Sequence, residues 1–333
     1  MGSGVVTAPT EANLRAALAG GGMVTFAIDG TISLTNTLVV TNATTLDSLG
    51  HAVTLSGGGS VQVLVVLGNA SLVLKGLTIA DGYLYNSDGA GLVNWGDATI
   101  VDCTFSNNVT QAPTLSFAGG GGAISHHGSA LRVNGSTFVQ NVSTYFGGAL
   151  DCGRWNTLGA NGQVGITNCT FYANSAGAVS LGGRLNQPVV LVNCTFAWNT
   201  NGGISFFTML PSIVPKVINS VFAYTMNGGN AVAVADGGHN ISSDNSTVFT
   251  VTTSRTNADP LLGPFANWGG PSWTVPLLPS SPARYYIDDN SAPATDQRGW
   301  PAPRQKTPLR APSRGRSIRT IAIAFVFYRL ITG

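Results

Sequence analysis

A nine-residue pattern recurs along this chain and sets its period. Its clearest copy is Ile-Thr-Asn-Cys-Thr-Phe-Tyr-Ala-Asn at 166–174, and alignment on the phenylalanine reveals further copies at 100–108, 133–141, 191–199 and 217–225. Counted from Ile79 in a preceding half-copy, the phenylalanine slot advances by 26, 33, 33, 25 and 26 residues. A basic period of 25–26 residues, with about seven residues inserted in two coils, is typical of a solenoid repeat protein.

A second element recurs out of phase with the first. It is a glycine turn that leads into a short apolar strand, with copies at 89–92, 121–124, 147–150, 176–179, 202–204 and 229–232. Each coil therefore contains a glycine turn, a strand, and a second strand that ends in Thr-Phe before an asparagine. Strand alternation places the phenylalanine, and the Cys/Ser slot two residues before it, inside the coil.

These slots predict ladders of like side chains through the stacked coils. The inner ladder consists of Phe105, Phe138, Phe171, Phe196 and Phe222. We expect two further ladders at the turns, where asparagine amides bond the coils above and below. One lies three residues after the phenylalanine (Asn108, Asn141, Asn174, Asn199) and the other three residues before it (Asn168, Asn193, Asn219).

Three of the four cysteines, Cys103, Cys169 and Cys194, share the slot two residues before the phenylalanine. Serine replaces cysteine there in other coils, which argues against a catalytic or metal-binding role for the slot. In stacked parallel strands, Cys169 and Cys194 would lie about 4.8 Å apart. That spacing permits a disulfide, but side-by-side Cβ directions disfavour one. We therefore expect buried free thiols.

Composition agrees with a solenoid that turns on glycine and asparagine. Glycine accounts for 43 of 333 residues, charged residues for 9% and hydrophobic residues for 44%, a balance too apolar for disorder. Of the 16 basic residues, seven lie in 304–333, which has no acidic residue, so residues 1–303 carry nine basic against 14 acidic groups. We therefore expect no nucleic-acid partner for residues 1–303. The sequence also has no uninterrupted apolar run long enough to predict a membrane span.

The sequence divides into four parts. Residues 1–22 contain a short N-terminal capping helix, which Thr10 can cap and the glycines from Gly20 can end. Residues 23–256 form a parallel β-helix, residues 257–303 a C-terminal wrap-around segment, and residues 304–333 an atypical basic tail. The tail is either a frameshifted or mis-called gene end or a genuine basic segment that sits on a membrane surface or an anionic partner. No signal peptide is visible.

The repeat resembles the coils of right-handed parallel β-helix proteins of the pectin lyase-like superfold. It is most similar to the bacterial secreted and surface type whose coils read Asn-Cys-Thr-Phe-x-x-Asn. The resemblance extends to the ending, with Asn-Ala-Asp-Pro-Leu at 257–261 and Gly-Gly-Pro-Ser-Trp-Thr at 269–274. It implies an all-β, right-handed, single-stranded parallel β-helix of about nine coils with a short N-terminal capping helix. It also implies an extracellular or cell-surface location.

Three classes of function fit this expectation, and the third is a passenger-like structural spacer with no ligand. We favour a non-catalytic extracellular or cell-surface protein, a monomer, whose long face serves adhesion by contacting polysaccharide or cell-surface glycan. The alternative is a polysaccharide lyase or glycoside hydrolase acting on an acidic polysaccharide, which needs clustered carboxylates and, for a lyase, Ca²⁺. The 14 acidic residues are scattered and include a single glutamate, Glu11, which favours the first class.

One ridge could still carry chemistry. Alignment of the coils on the apolar slot after the glycine turn groups five outward residues, His127, Asp151, Arg154, Arg184 and Trp155. Histidine, carboxylate and arginine could bind or act on an acidic sugar, and tryptophan could stack on its ring. The alternative is a solvated face on which Asp151 and Arg154 pair. We expect no cofactor and no metal, because His126, His127 and Cys152 lack a fourth ligand.

Overall fold

The computed structural model describes residues 4–113, 119–152, 162–182, 188–206, 214–227, 229–231, 234–246, 248–288 and 290–301. Within these ranges the chain consists of parallel strands in stacked sheets and one short helix. This architecture confirms the predicted fold class, a right-handed parallel β-helix. Each coil runs through three sheets, called sheets 1, 2 and 3 in the order in which the chain meets them.

The three sheets form the walls of the coils. Sheet 1 consists of Gly4–Val6, Gly22–Phe26, Thr44–Asp47, Ser71–Lys75, Asp97–Val101, Ala130–Asn134, Gln163–Thr167, Val189–Val192, Lys216–Ile218 and Ala235–Asp236. Sheet 2 consists of Gly30–Ser33, Val53–Ser56, Thr78–Ala80, Thr104–Ser106, Thr137–Val139, Thr170–Tyr172, Thr195–Ala197, Val221–Ala223 and Ile241–Ser242. Sheet 3 consists of Leu38–Val40, Leu64–Val66, Leu92–Asn94, Ile124–His126, Leu150–Cys152, Val179–Leu181 and Ile204–Phe206. A small side sheet joins Tyr83–Tyr85, Val109–Gln111 and Val142–Ser143.

Register between coils places equal slots of the repeat on top of each other. The phenylalanines of neighbouring strands in sheet 2 pair directly, from Phe105 to Phe222. Their ring centroids lie 4.7–5.2 Å apart and their planes differ by 1–11°. All five rings are buried. The phenylalanines therefore form one continuous stack through the middle of the solenoid.

A buried column of asparagine amides follows sheet 2. In Asn108, Asn141 and Asn174, Nδ2 donates to Oδ1 of the asparagine on the next coil at 2.9–3.0 Å. That same Oδ1 accepts the backbone N–H of the preceding asparagine at 2.9–3.1 Å. Each Nδ2, including that of Asn199, also donates to a backbone carbonyl of the preceding coil. The column thus satisfies backbone groups that have no access to water.

The asparagines three residues before the phenylalanine behave differently from the expected ladder. Asn168, Asn193 and Asn219 have φ values of 53°, 55° and 52°, in the left-handed region that asparagine tolerates better than most residues. Gly76 and Gly135 occupy the same slot, with φ values of 67° and 63°. The left-handed backbone at this turn therefore explains why asparagine recurs there. The side-chain amides are left to contact other parts of the chain.

The helix Glu11–Leu18 packs at the N-terminal end of the solenoid. Thr10 caps it by accepting the N–H of Asn13, and Leu14 is buried in the core. A strand that the sequence analysis did not include, Gly4–Val6, precedes the helix and pairs with Gly22–Phe26. Glycine is needed at position 4, because a Cβ there would lie 2.5 Å from the carbonyl oxygen of Ala17.

Glu11 ties this helix to the first coil. Its carboxylate accepts hydrogen bonds from the N–H and hydroxyl of Thr35 at 2.8 and 2.7 Å. These two bonds, helped by Arg15, lower the pKa of Glu11 to about 2. Arg15 in turn donates to Glu11 and to the carbonyl of Asn36. The helix is thereby fixed to the turn that links sheets 2 and 3.

The C-terminal segment, 257–301, lies against the outer face of sheet 2. Thr170 is hydrogen-bonded to Thr274 at 2.7 Å and donates to Oε1 of Gln297 at 2.6 Å. Nε2 of Gln297 donates to Thr137 at 2.8 Å, and Ser272 donates to a backbone carbonyl of the same wall at 2.7 Å. Outward threonines of sheet 2 therefore hold a segment that has little regular secondary structure of its own.

Replacing Asn141 by alanine tests the amide column. The change leaves the N–H of Asn108 and the carbonyl of Phe105 buried without their partners, so we expect the free energy of unfolding to fall by about 2–4 kcal/mol. Chemical denaturation of the two proteins measures this loss. Asn42→Ala at an exposed position is the control and should change stability by less than about 0.5 kcal/mol. Equal effects of the two substitutions would contradict the role of the column.

Candidate functional site

Of the five residues predicted for the outer ridge, the structure describes two. Arg154, Trp155 and Arg184 lie outside the described residues. His127 and Asp151 are buried, with 7% and 1% of their surfaces exposed, rather than lying on an open ridge. Strand alternation predicts which way a side chain points, but it does not predict whether another segment covers that face.

Register brings three kinds of polar group together on sheet 3. Ser125 pairs with Asp151 on the next coil, and Asp151 pairs with Ser180 on the coil after that. The Ser125 hydroxyl lies 2.9 Å from Nε2 of His127. A hydroxyl, an imidazole and a carboxylate thus occupy two adjacent coils beneath the surface.

Trp95 stacks on the imidazole of this cluster. Its ring stacks on that of His127, with centroids 4.4 Å apart and planes 21° apart, and 50% of its surface is exposed. The two residues occupy the same turn position on neighbouring coils, because Asn94 pairs with His126. Trp95 was not among the residues predicted for the ridge, although alignment of Asn-Trp at 94–95 with His-His at 126–127 indicates its position. We call the stacked pair Trp95 and His127 the aromatic platform.

His126 precedes His127 in the chain and is fully buried. Its Nδ1 accepts a hydrogen bond from the Nδ2 of Asn94 at 2.9 Å, so the ring is neutral and carries its proton on Nε2. Burial, and to a lesser degree the neighbouring His127, lowers the pKa of His126 to about 3. In the part of the chain that the structure describes, no three His, Cys, Asp or Glu side chains are grouped to hold a metal ion.

The cysteines give no reactive centre. All four are buried and free of disulfides, as expected from the parallel Cβ directions. Burial raises the pKa of the Cys103 and Cys194 thiols to about 12 and that of Cys169 well above the usual value. Protonated, water-excluded thiols are poor nucleophiles. The cysteine slot therefore serves packing.

A cavity of about 400 Å³ lies between the C-terminal segment and the turn that precedes sheet 2. Its wall on the solenoid side includes Asn193 and Thr195, and its opposite wall includes Tyr286 and Trp300. Asp296 and Arg298 lie at its edge as an ion pair, with Nε donating to Oδ2 at 3.0 Å. This cavity was not predicted from the sequence, because its two walls are about 100 residues apart in the chain.

The C-terminal segment is attached on both sides of the cavity. Asn168 donates to the carbonyl of Thr295 at 2.8 Å, and Asn219 accepts the N–H of Asp288 at 2.8 Å. Asn193 occupies the same slot on the coil between them. Its Oδ1 is buried, and no described residue donates a hydrogen bond to it.

Comparison with known proteins identifies one short similarity. A profile of the Chlamydia polymorphic membrane protein (Chlamydia_PMP) repeat matches residues 102–126. This stretch starts at the turn before sheet 2 and ends in sheet 3 at His126. No curated protein and no solved structure matches the chain significantly. One coil of this β-helix is thus similar to that repeat.

A further observation concerns membranes. None of the helical residues described by the structure belongs to a segment that is both long and apolar enough to traverse a bilayer.

Acid titration tests the burial of His126. Its folded pKa of about 3 is below the ordinary value of 6.5, so its neutral form supports folding above pH 6.5, and that support is lost as the pH falls toward 3. We expect His126→Asn, which copies Asn94 in the preceding coil, to reduce the fall in Tm between these two pH values. Thermal unfolding of both proteins across this range measures the difference, and parallel curves would contradict the assignment.

Proposed function

We propose that this chain is an extracellular or cell-surface β-helix protein that contacts glycans, in adhesion, through the aromatic platform. The observation that carries the proposal is the half-exposed Trp95 held flat against His127. One face of the indole is supported by the imidazole, and its exposed surface is available to a ligand. An aromatic face of this kind is suited to the apolar C–H side of a sugar ring.

The surroundings of the platform support a binding role. His127 is hydrogen-bonded to Ser125 and packed in the wall of the solenoid, so Trp95 rests on a rigid base. A preorganised aromatic group loses little conformational entropy when a ligand stacks on it. The solenoid itself supplies a long, sparsely charged surface, since only 9% of the residues are charged. These properties favour contact with a neutral, extended partner such as a polysaccharide.

A surface location draws support from the short similarity to the Chlamydia polymorphic membrane protein repeat. The matched residues, 102–126, end next to His127 and thus adjoin the platform. The resemblance of the coils to the pectin lyase-like superfold points in the same direction, because it is strongest for secreted and surface proteins. Both similarities concern the repeat, and the role of the platform rests on its own geometry.

A polysaccharide lyase or glycoside hydrolase is the second candidate function. The observation that favours it is the position of Asp151 beside the hydrogen-bonded Ser125 and His127. A carboxylate and an imidazole on adjacent coils are the two kinds of group that general acid–base catalysis uses. An activity screen on acidic polysaccharides, with and without Ca²⁺, distinguishes this candidate: unsaturated or reducing products that disappear in Asp151→Asn would support catalysis.

Replacing Trp95 by alanine tests the proposed function. We expect binding to surface-immobilised glycans to weaken roughly tenfold, since an aromatic stacking contact is lost. Because the side chain is half exposed, stability should change little. A glycan array followed by surface plasmon resonance on its strongest ligands measures the change.

Trp273→Ala provides the matched control, because Trp273 is 51% exposed and lies on the C-terminal segment. It should leave binding to the immobilised glycans unchanged. If Trp95→Ala binds as tightly as the unmodified protein, the platform is not the contact surface.

A further inference from the structure

We infer that the cavity beneath the C-terminal segment is a binding site for a small saccharide of one or two sugar units. It is separate from the aromatic platform: the platform lies at the turn after sheet 3, whereas the cavity lies at the turn before sheet 2. The inference therefore stands independently of the proposed adhesion function.

Comparison of three successive coils reveals what is unusual about the cavity. Asn168, Asn193 and Asn219 occupy one turn slot with nearly identical backbone conformation. The first donates to Thr295 and the last exchanges hydrogen bonds with Asp288. The two attachment points are two strand spacings apart, about 10 Å. The C-terminal segment thus bonds to the outer two of these coils, and the cavity that all three asparagines line includes the middle coil, where no such bond forms.

The middle coil carries an asparagine and a threonine at the positions whose equivalents on neighbouring coils hold the C-terminal segment. Thr195 pairs in register with Thr170, whose hydroxyl bonds to Thr274 and Gln297, but Thr195 lines the cavity. Asn193 lines it too, with an Oδ1 that is buried and receives no hydrogen bond from a described residue. A buried carbonyl without a donor raises the free energy of the folded state. The oxygen has no surface open to the cavity, so a ligand hydroxyl would donate to it only after the Asn193 side chain rotates toward the cavity.

The opposite wall adds aromatic surface. Trp300 is 56% exposed. The guanidinium of Arg255 lies over the ring of Tyr286, 4.2 Å from the ring centroid. Both rings line the cavity, across from the Asn193 turn. A sugar has an apolar face for aromatic rings and a rim of hydroxyls for amides and hydroxyls. The two walls of the cavity match these two sides.

A short hairpin holds the aromatic wall in place. Thr295 bridges to Pro301, and Asp296 accepts the N–H of Trp300 at 3.2 Å. Gln297, between these residues, is bonded to the outer threonines of sheet 2. Trp300 is therefore positioned by contacts in the solenoid wall as well as by the hairpin. The guanidinium of Arg298 lies over the Trp300 ring at 4.6 Å, which further limits its motion.

Size limits the ligand to a short one. The cavity holds about 400 Å³, near the lower end of the range of about 300–1,000 Å³ that small-molecule sites occupy. The hydrogen bonds of Asn168 and Asn219 to the C-terminal segment lie at the cavity wall and reduce the space left for a ligand. One or two sugar units, free or at the end of a longer glycan, fit these dimensions.

Titration with simple sugars tests the inference. The probes are the methyl glycosides of glucose, galactose, mannose and N-acetylglucosamine, with glucuronic acid and the disaccharides lactose and cellobiose. Binding to the full chain is followed by saturation-transfer NMR and tryptophan fluorescence. We expect at least one of these sugars to bind saturably, with an affinity in the millimolar range or tighter.

Two substitutions in the cavity should weaken that binding roughly tenfold each. Asn193→Gly removes the amide and keeps the turn, because glycine already occupies this slot at Gly76 and Gly135. Trp300→Ala removes the aromatic surface. Their matched controls are Asn227→Gly, an exposed asparagine with φ of 58°, and Trp273→Ala. Both controls should bind as the unmodified chain does, and thermal unfolding checks that all four variants are folded.

The outcomes separate this site from the aromatic platform. Weakened binding in Asn193→Gly and Trp300→Ala, with normal binding in Trp95→Ala, supports the cavity site even if the glycan array shows no role for Trp95. Absence of saturable binding by every probe overturns the inference. Binding that is insensitive to both cavity variants, or that is lost in Trp95→Ala alone, also overturns it.

Discussion

The buried column of asparagine amides holds successive coils of the solenoid in one register. Each amide from Asn108 to Asn174 bonds to the next and to backbone groups that water cannot reach. Such bonds form only when successive coils align in one register. The same register places the phenylalanine rings in face-to-face contact a few residues away. Hydrogen bonding and packing therefore specify the same alignment, as expected for a sequence that encodes one structure.

Because the register is fixed, a residue that differs between coils changes the surface of the solenoid at a defined position. Because equal slots lie above each other, Trp95 comes to rest on His127 although 32 residues separate them. For the same reason, Asn193 lies between two asparagines that hold the C-terminal segment, and it faces a cavity. A regular solenoid acquires its sites where one coil departs from its neighbours, or where a non-repeating segment leaves one coil uncovered.

The candidate sites were harder to predict from the sequence than the fold was. Alignment of the coils correctly brought Asp151 and His127 onto neighbouring coils, but it predicted an open ridge where both are buried. It also predicted a second asparagine ladder at Asn168, Asn193 and Asn219. Their left-handed backbone conformation explains why asparagine recurs there without stacking. A repeated residue type can therefore reflect either a side-chain ladder or a backbone requirement, and the alignment alone does not separate the two.

The period, the parallel β-helix, the phenylalanine stack and the capping of the N-terminal helix by Thr10 could all be predicted from the sequence alone. These features depend on contacts between neighbouring coils or neighbouring residues, so the spacing of the sequence reports them. Which faces are covered, and where a cavity remains, is visible only in the three-dimensional structure. Those outcomes depend on the non-repeating segment 257–301, whose contacts join residues as distant as Thr137 and Gln297. Contacts between residues so far apart in the chain do not recur at the repeat period, so the sequence pattern does not predict them.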